Sequence, residues 1–558
     1  MPIAARLAAL LLFVFVLAGS APETPLNAAP AATLVLLKGR IRTLDGDRTA
    51  EALACRGERI VYVGTNAGAR ALAGPDTQVI DLHGATAVPG LTDAHFHLIG
   101  LGTTQTQLDL SAVWDRAALL ARIREYASAQ PAGAWVQGRG WDQTRWTPPD
   151  FPTAADLDAV TVGHPAWLRR VDGHAGWANT AALRAAGVTK DTPDPSGGKI
   201  HRDAQGNPAG VFVDRAMALI DGVMPEPAPE QTLAAIEAGQ QICLRYGLTG
   251  IHDCGNGSAT LELFKRAERE GRLQMRMYVM ARGPGTEMEK VIAQRPYRSG
   301  LLTIRCVKFV MDGALGSRGA ALLAPYSDDP GNEGLLLIDP LVYGDAVRKC
   351  VAAGWQVATH AIGDRGNRVV LDAYAEALKG RNPKAARLRV EHAQIVALDD
   401  LKRFAPLGLI ASMQPTHATS DMRWAEQRVG PERIKGGYAW RTLLKAGVVI
   451  AGGSDAPVES ASPALGLYAA VTRQDADGYP PGGWYPEQRM TAREALEAFT
   501  KGAAYAAFQE RDLGTLTVGK LADITVFAQD PLAIPAAQLK NLTVRYTIVG
   551  GKVRYRKD

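Results

Sequence analysis

Cysteine is scarce in this chain. The five cysteines (Cys55, Cys243, Cys254, Cys306 and Cys350) are widely spaced and form no CxxC pair, which excludes a disulfide-stapled scaffold and a thiolate zinc ribbon. They read as buried, inert thiols, with one disulfide left open in an oxidising compartment. Aromatic residues make up 6% of the sequence, and no run of Lys/Arg is interleaved with them. With a formal net charge of only +5, the electrostatic footprint of a nucleic-acid binder is absent, and a small-molecule substrate of little or no charge is the expectation. The leading apolar run, Leu7 to Leu17, falls short of the roughly 20 residues that cross a bilayer. It follows Arg6 and precedes the small residues Ala18-Gly19-Ser20-Ala21, the pattern of a cleaved export signal. Residues 1–21 are therefore expected to be a signal peptide and 22–32 a Pro/Ala-rich linker. The mature chain is then periplasmic or secreted, without stable membrane association, and a homo-oligomer is left open.

What is present is an ordinary globular balance, 47% hydrophobic and 21% charged, enough for one large α/β domain and a smaller one. Both ends read as short β segments broken by Gly and Asp turns, so 33–88 and 505–558 are expected to assemble one small β-sandwich domain. Between them, 89–504 alternates amphipathic helices with apolar runs that end in polar residues, such as Leu248–Asp253, Ile304–Val310, Gln356–His360 and Leu388–His392. Apolar strands alternating with helices predict a parallel sheet covered on both faces. Eight such runs, and no GxGxxG after a first strand, favour a (β/α)8 TIM barrel over an open doubly wound sheet. The stretch 103–229 is too long for one crossover; rich in tryptophan, it reads as an insertion or lid after strand one.

The chemistry-bearing residues gather at strand ends. In Thr92-Asp93-Ala94-His95-Phe96-His97 the two histidines leave a strand on the same face and can bind one ion through nitrogen. His360 and His392 each end a later strand and Asp455 ends the last. Lys308 sits in an apolar strand where lysine needs an explanation: an ion pair with Asp312, a snorkelling side chain, or an amine whose lowered pKa lets it add carbon dioxide as a metal-bridging carbamate. Asp455 reads either as a helix cap or as a ligand that takes a proton from an attacking water. His174 is either an internal hydrogen-bonding group of the insertion or a donor to the substrate carbonyl oxygen. Trp141, Trp146 and Trp177 are candidates for an apolar pocket wall, and Gln414, His417, Tyr438 and Arg473 are further candidates at the mouth.

Val88-Pro89-Gly90-Leu91-Thr92-Asp93-Ala94-His95-x-His97, followed in order by Lys308, His360, His392 and Asp455, resembles the amidohydrolase superfamily with a binuclear centre. Gly138-Arg139-Gly140-Trp141-Asp142, Val171 to Asn179, and Lys308 to Arg318 resemble its YtcJ-like branch, which includes N-substituted formamide deformylases. The resemblance implies two divalent metal ions, usually zinc. His95, His97 and Asp455 would hold one, His360 and His392 the other, and a carbamate on Lys308 would bridge them. It further implies Asp455 as the catalytic proton carrier; the residues themselves add His174 as a second catalytic candidate and Trp141, Trp177, Asp312 and Arg318 as candidate substrate-site residues, although Asp312 and Arg318 read equally as supports for the loop after Lys308. The activity implied is hydrolysis of a non-peptide carbon–nitrogen bond. Ring deaminases are the nearest rival; they generally place a Glu a turn after the strand-five histidine, where this chain has Gly363 and then Asp364. A non-catalytic scaffold would be expected to have lost ligands, and none is lost.

Overall fold

The computed structural model describes residues 30–111 and 113–557; the expected signal peptide and most of the expected linker lie outside them. Eight parallel strands make the central sheet: β1 (Leu91–Phe96), β2 (Leu248–Asn256), β3 (Arg276–Arg282), β4 (Leu302–Val310), β5 (Gln356–Ala361), β6 (Arg389–His392), β7 (Ile410–Met413) and β8 (Val449–Gly452), each beside the next. β5, Gln-Val-Ala-Thr-His-Ala, is buried at every residue, because helices cover the outer face while side chains fill the interior. The outer helices carry matching apolar stripes: Ser258–Arg269 buries Leu261, Phe264 and Ala267, three residues apart on one face.

The sheet comes round almost to closure. Between β8 and β1 the seam is fastened beyond the strand ends: Asp455 N donates to His95 O at 2.8 Å, His97 N to Ala456 O at 2.9 Å, and Ser454 N to Asp93 Oδ1 at 3.0 Å. Gly453 permits this approach, since a Cβ there would lie 2.7 Å from His95 N. The seam thus brings Asp455 against the histidine pair.

The chain ends build two more sheets. Ala32–Leu37, Ala52–Arg56, Arg59–Gly64 and Ala73–Asp81 form one; the other joins Arg40–Arg42, Thr49–Ala50 and Thr86–Pro89 to Ile524–Phe527, Val544–Val549 and Lys552–Arg556. One apolar cluster draws on both, with Leu36, Leu53 and Ile60 from the first and Ile41, Ile524 and Ile548 from the second. This β unit is tied to the barrel by a buried forked pair, Arg276 Nε to Asp523 Oδ2 at 2.7 Å and its terminal nitrogen to Oδ1 at 2.9 Å. Asp523→Ala leaves the Arg276 charge buried without a partner. A loss of about 3–5 kcal/mol is expected for that, read as a lowered urea midpoint; an unchanged midpoint would show that the pair does not fasten the two units.

Between β1 and β2 the chain forms its own six-stranded sheet, ordered Gly198–Arg202, Pro208–Asp214, Ala175–Ala178, Ala166–Arg170, Val136–Trp141, Leu108–Asp109. All five cysteines are buried free thiols.

Candidate active site

The deepest layer of the site is an ion-paired network inside the barrel. Arg389 and Glu391 on β6 are fully buried, and Arg389 Nε donates to Glu391 Oε1 at 2.7 Å. The same guanidinium donates to Ala94 O at 2.6 Å and Ser412 Oγ at 3.0 Å, and lies 2.9 Å from His252 Nδ1. Burial alone would raise the Glu391 carboxyl, but Arg389 and His95 hold it well below the usual carboxylate range. Glu391 Oε2 in turn lies 2.5 Å from His95 Nδ1. An ionised carboxylate there keeps the proton on Nδ1 and leaves the Nε2 lone pair of His95 facing the mouth.

Above that layer, donor atoms of His95, His392 and Asp455 lie within 4.8 Å of one another. Asp455 Oδ1 is 3.1 Å from His97 Nε2 and 3.6 Å from His95 Nε2. Burial would raise the Asp455 carboxyl, yet His95 and His97 hold it well below its ordinary range. Lys308, 4% exposed, places Nζ 3.1 Å from His95 Nε2. His392 Nδ1 is fixed by Gln414 Oε1 at 2.8 Å, so Nε2 is its free nitrogen. The His360 ring stands against that of His392 with centroids 4.6 Å apart, and its Nε2 is 3.4 Å from Gly313 O. Six of the chain's 10 histidines (95, 97, 174, 360, 392, 417) are linked in this way. Two ligand-type residues are held in left-handed backbone, His392 at φ 70° and Asp455 at φ 61°, a conformation that surrounding structure must enforce.

These residues fit a divalent cation. Burial, reinforced by Lys308, lowers His95 to about 4; burial, with His174 and Lys308 beside it, holds His360 well below the ordinary histidine value, and burial above all does the same for His392. All three imidazoles are therefore neutral, with lone pairs available beside an ionised carboxylate. A second cluster, His95–Cys254–Glu391, does not fit: burial pushes the Cys254 thiol up to about 12, and both other groups are already committed to each other.

The insertion closes over this mouth. His174 follows Arg170, whose guanidinium is clamped by Asp142 and Asp172. Its backbone N donates to Asp172 Oδ1 at 3.0 Å, and its Nδ1 lies 2.6 Å from Asp214 Oδ1. Burial opposes its protonation, but the Asp214 hydrogen bond and charge raise His174 to about 9. The His174 ring sits 4.9 Å from that of His360. A cavity of about 1130 Å³ lies between lid and barrel, lined by His174, His360, His392 and Asp455 together with Arg139 and Trp114.

The structure thus brings His95, His97, Lys308, His360, His392, Asp455 and His174 together. It places other candidates elsewhere. Trp141 and Trp177 are 0% exposed in the insertion's own apolar core, their indole N–H groups donating to Leu168 O and Thr153 O; they are not cavity wall, because a separate sheet needs bulky filling of its own. Asp312 accepts from the backbone N–H of Ala321, Ile362 and Gly363, which makes it a loop clasp beside His360. Arg318 pairs with Asp328. Neither lines the cavity. Asp364 accepts from Leu323 N at 2.8 Å and is not among the residues lining the cavity. Arg473 is buried over Trp440 and Trp484, and Tyr438 donates to Asp421. Glu391, Arg389 and Asp214 carried no signal of their own in the sequence.

The profile of the Amidohydrolase family matches residues 78–555. The YtcJ protein of Bacillus subtilis (strain 168), named as an amidohydrolase, is 35% identical over 494 residues, 87% of this chain and 92% of that one. N-substituted formamide deformylase of Arthrobacter pascens is 29% identical over 548 residues, 94% of this chain and 98% of its own. Among solved structures, a metal-dependent hydrolase of Pyrococcus furiosus superposes with a TM-score of 0.71 at 29% identity, covering 89% of this chain and 99% of that one.

Proposed function

The chain belongs to the amidohydrolase family, and from that premise we propose that it hydrolyses a non-peptide carbon–nitrogen bond, of an amide, an N-formyl amine or a related compound, at the mouth of its barrel. The observation that carries this is the convergence of His95, His392 and Asp455 donor atoms within 4.8 Å, with His392 and Asp455 on the wall of a cavity that His174 also lines. Two divalent ions, zinc in the first instance, would be held by His95, His97 and Asp455 and by His360 and His392, with a carbamate on Lys308 between them. The nearness of Lys308 Nζ to His95 Nε2, 3.1 Å, supports that reading. When bound, the metal supplies Lewis acidity toward the carbonyl oxygen and lowers the pKa of water.

The chain's own groups account for the remaining steps. Asp455, held below its ordinary range in spite of its burial and set beside His95 and His97, accepts a proton from the attacking water and delivers it to the departing nitrogen. His174, protonated and oriented by Asp214, donates from Nε2 to the carbonyl oxygen as negative charge develops there. The name of the Arthrobacter relative supports an N-formyl or N-acyl amine as substrate. Export remains part of the proposal, on the leading Arg6 and apolar run; among the described residues no helix is long and apolar enough to cross a membrane.

The test is metal removal combined with a substrate screen. Dialysis against a chelator is expected to abolish amine release from N-formyl and N-acyl amines, with recovery on adding zinc or manganese. Undiminished turnover with less than about one ion per chain would overturn the metal reading, and ammonia release from a ring amine would replace it with deamination.

A further inference from the structure

The cavity's charged groups are almost all spoken for. Among its acids, Asp142 and Asp172 hold Arg170, Asp421 accepts from Tyr438 and Gln394, Glu459 accepts from Ser420, and Asp109 accepts from Ser111. Among its cations, Arg145 stands against Asp142 and over the Trp114 ring, Arg423 pairs with Asp475, and Arg245 lies at the exposed rim.

Arg139 is the exception. It is half-buried on Val136–Trp141 and lines the cavity. Its guanidinium makes a single hydrogen bond, to Val171 O at 2.8 Å, and among the described residues no carboxylate lies within ion-pair distance of it. That anchor sits three residues before His174, and Arg139 and His174 line the same cavity. Burial lowers its pKa to about 10, with the Asp455 charge the strongest offset. A planar, cationic, five-donor group that lines the cavity, with one hydrogen bond made and no acid paired to it, is suited to receive a bidentate anion.

We infer that Arg139 binds a carboxylate on the substrate, which makes the substrate class N-acyl or N-formyl amino acids and similar anionic amides rather than neutral ones. The small net charge of the whole chain gives no hint of this; one unpaired guanidinium in the lid does. The inference rests on the hydrolase reading for the identity of the scissile group, but its test does not require turnover.

Calorimetric titration of the metal-loaded protein with racemic N-acetylphenylalanine and with N-acetylphenylalaninamide compares two ligands that differ in one charged group. Wild type is expected to bind the carboxylate about 10-fold or more tighter than the amide. Arg139→Met and Arg139→Gln are expected to lose about 30-fold or more on the carboxylate and to hold the amide within about 2-fold, which also reports an intact cavity, while Arg139→Lys retains part of the preference. Equal binding of the two ligands by wild type, no binding of the carboxylate, or an equal loss on both ligands in Arg139→Met would overturn the assignment. A carboxylate preference that depends on Arg139, without release of phenylalanine, would uphold Arg139 and count against the hydrolase reading alone.

Discussion

Replacing Glu391 by glutamine is expected to weaken metal binding about 10–100-fold without removing any ligand. The reason is donor and acceptor bookkeeping in a sealed space. Glu391 is 0% exposed and presents one oxygen to Arg389 Nε and the other to His95 Nδ1. A glutamine has one oxygen and one NH2, so whichever way it turns, a donor faces a donor, either at Arg389 or at His95. If the clash falls on His95, the imidazole is driven toward the tautomer that protonates Nε2, the atom a metal needs. Metal analysis of purified Glu391→Gln should show depleted occupancy, with activity recovering as added zinc is raised. The Glu391→Ala variant tests folding instead, since it strands the fully buried Arg389 charge, at a cost of about 3–5 kcal/mol. Wild-type metal content and kcat in Glu391→Gln would remove Glu391 from any role in orienting His95.

That network also marks where the sequence stops being legible. The eight barrel strands can be read because a strand buried on both faces must be a continuous apolar run, and each ends in polar residues that have nowhere to go but the mouth. The family motif then singles out His95, His97, Lys308, His360, His392 and Asp455. Glu391 could not be found in this way. A strict alternation of faces sends Glu391 and its neighbour His392 in opposite directions, one of them out of the barrel. In the structure β6 ends at His392, whose φ of 70° breaks the alternation, so His392 turns over the mouth while Glu391 stays inside beneath it. The tryptophans failed for a different reason. Composition gives no way to tell a pocket wall from the core of an inserted sheet, and Trp141 and Trp177 are fully buried in the latter. Asp214 is 40 residues from His174, on a neighbouring strand of the insertion, a pairing that only the register of that sheet reveals.

The His174–Asp214 pair carries the other large expected effect. If His174 donates to the carbonyl oxygen, its contribution appears only as charge accumulates there, so His174→Ala should lower kcat about 10²–10³-fold with KM little changed and metal content intact. His174→Gln keeps a donor without the charge and should fall between. Asp214→Asn acts one step back. With no carboxylate opposite Nδ1, the ring loses both its raised proton affinity and its fixed orientation, and the His174 N–H is no longer aimed at a defined point. A loss in kcat smaller than that of His174→Ala is expected, and the double variant should be no worse than His174→Ala, because the two residues act as one unit. Additive losses would mean that Asp214 works on something other than His174. Full kcat in His174→Ala with bound metal would mean that the lid only covers the site, leaving oxyanion stabilisation entirely to the barrel floor.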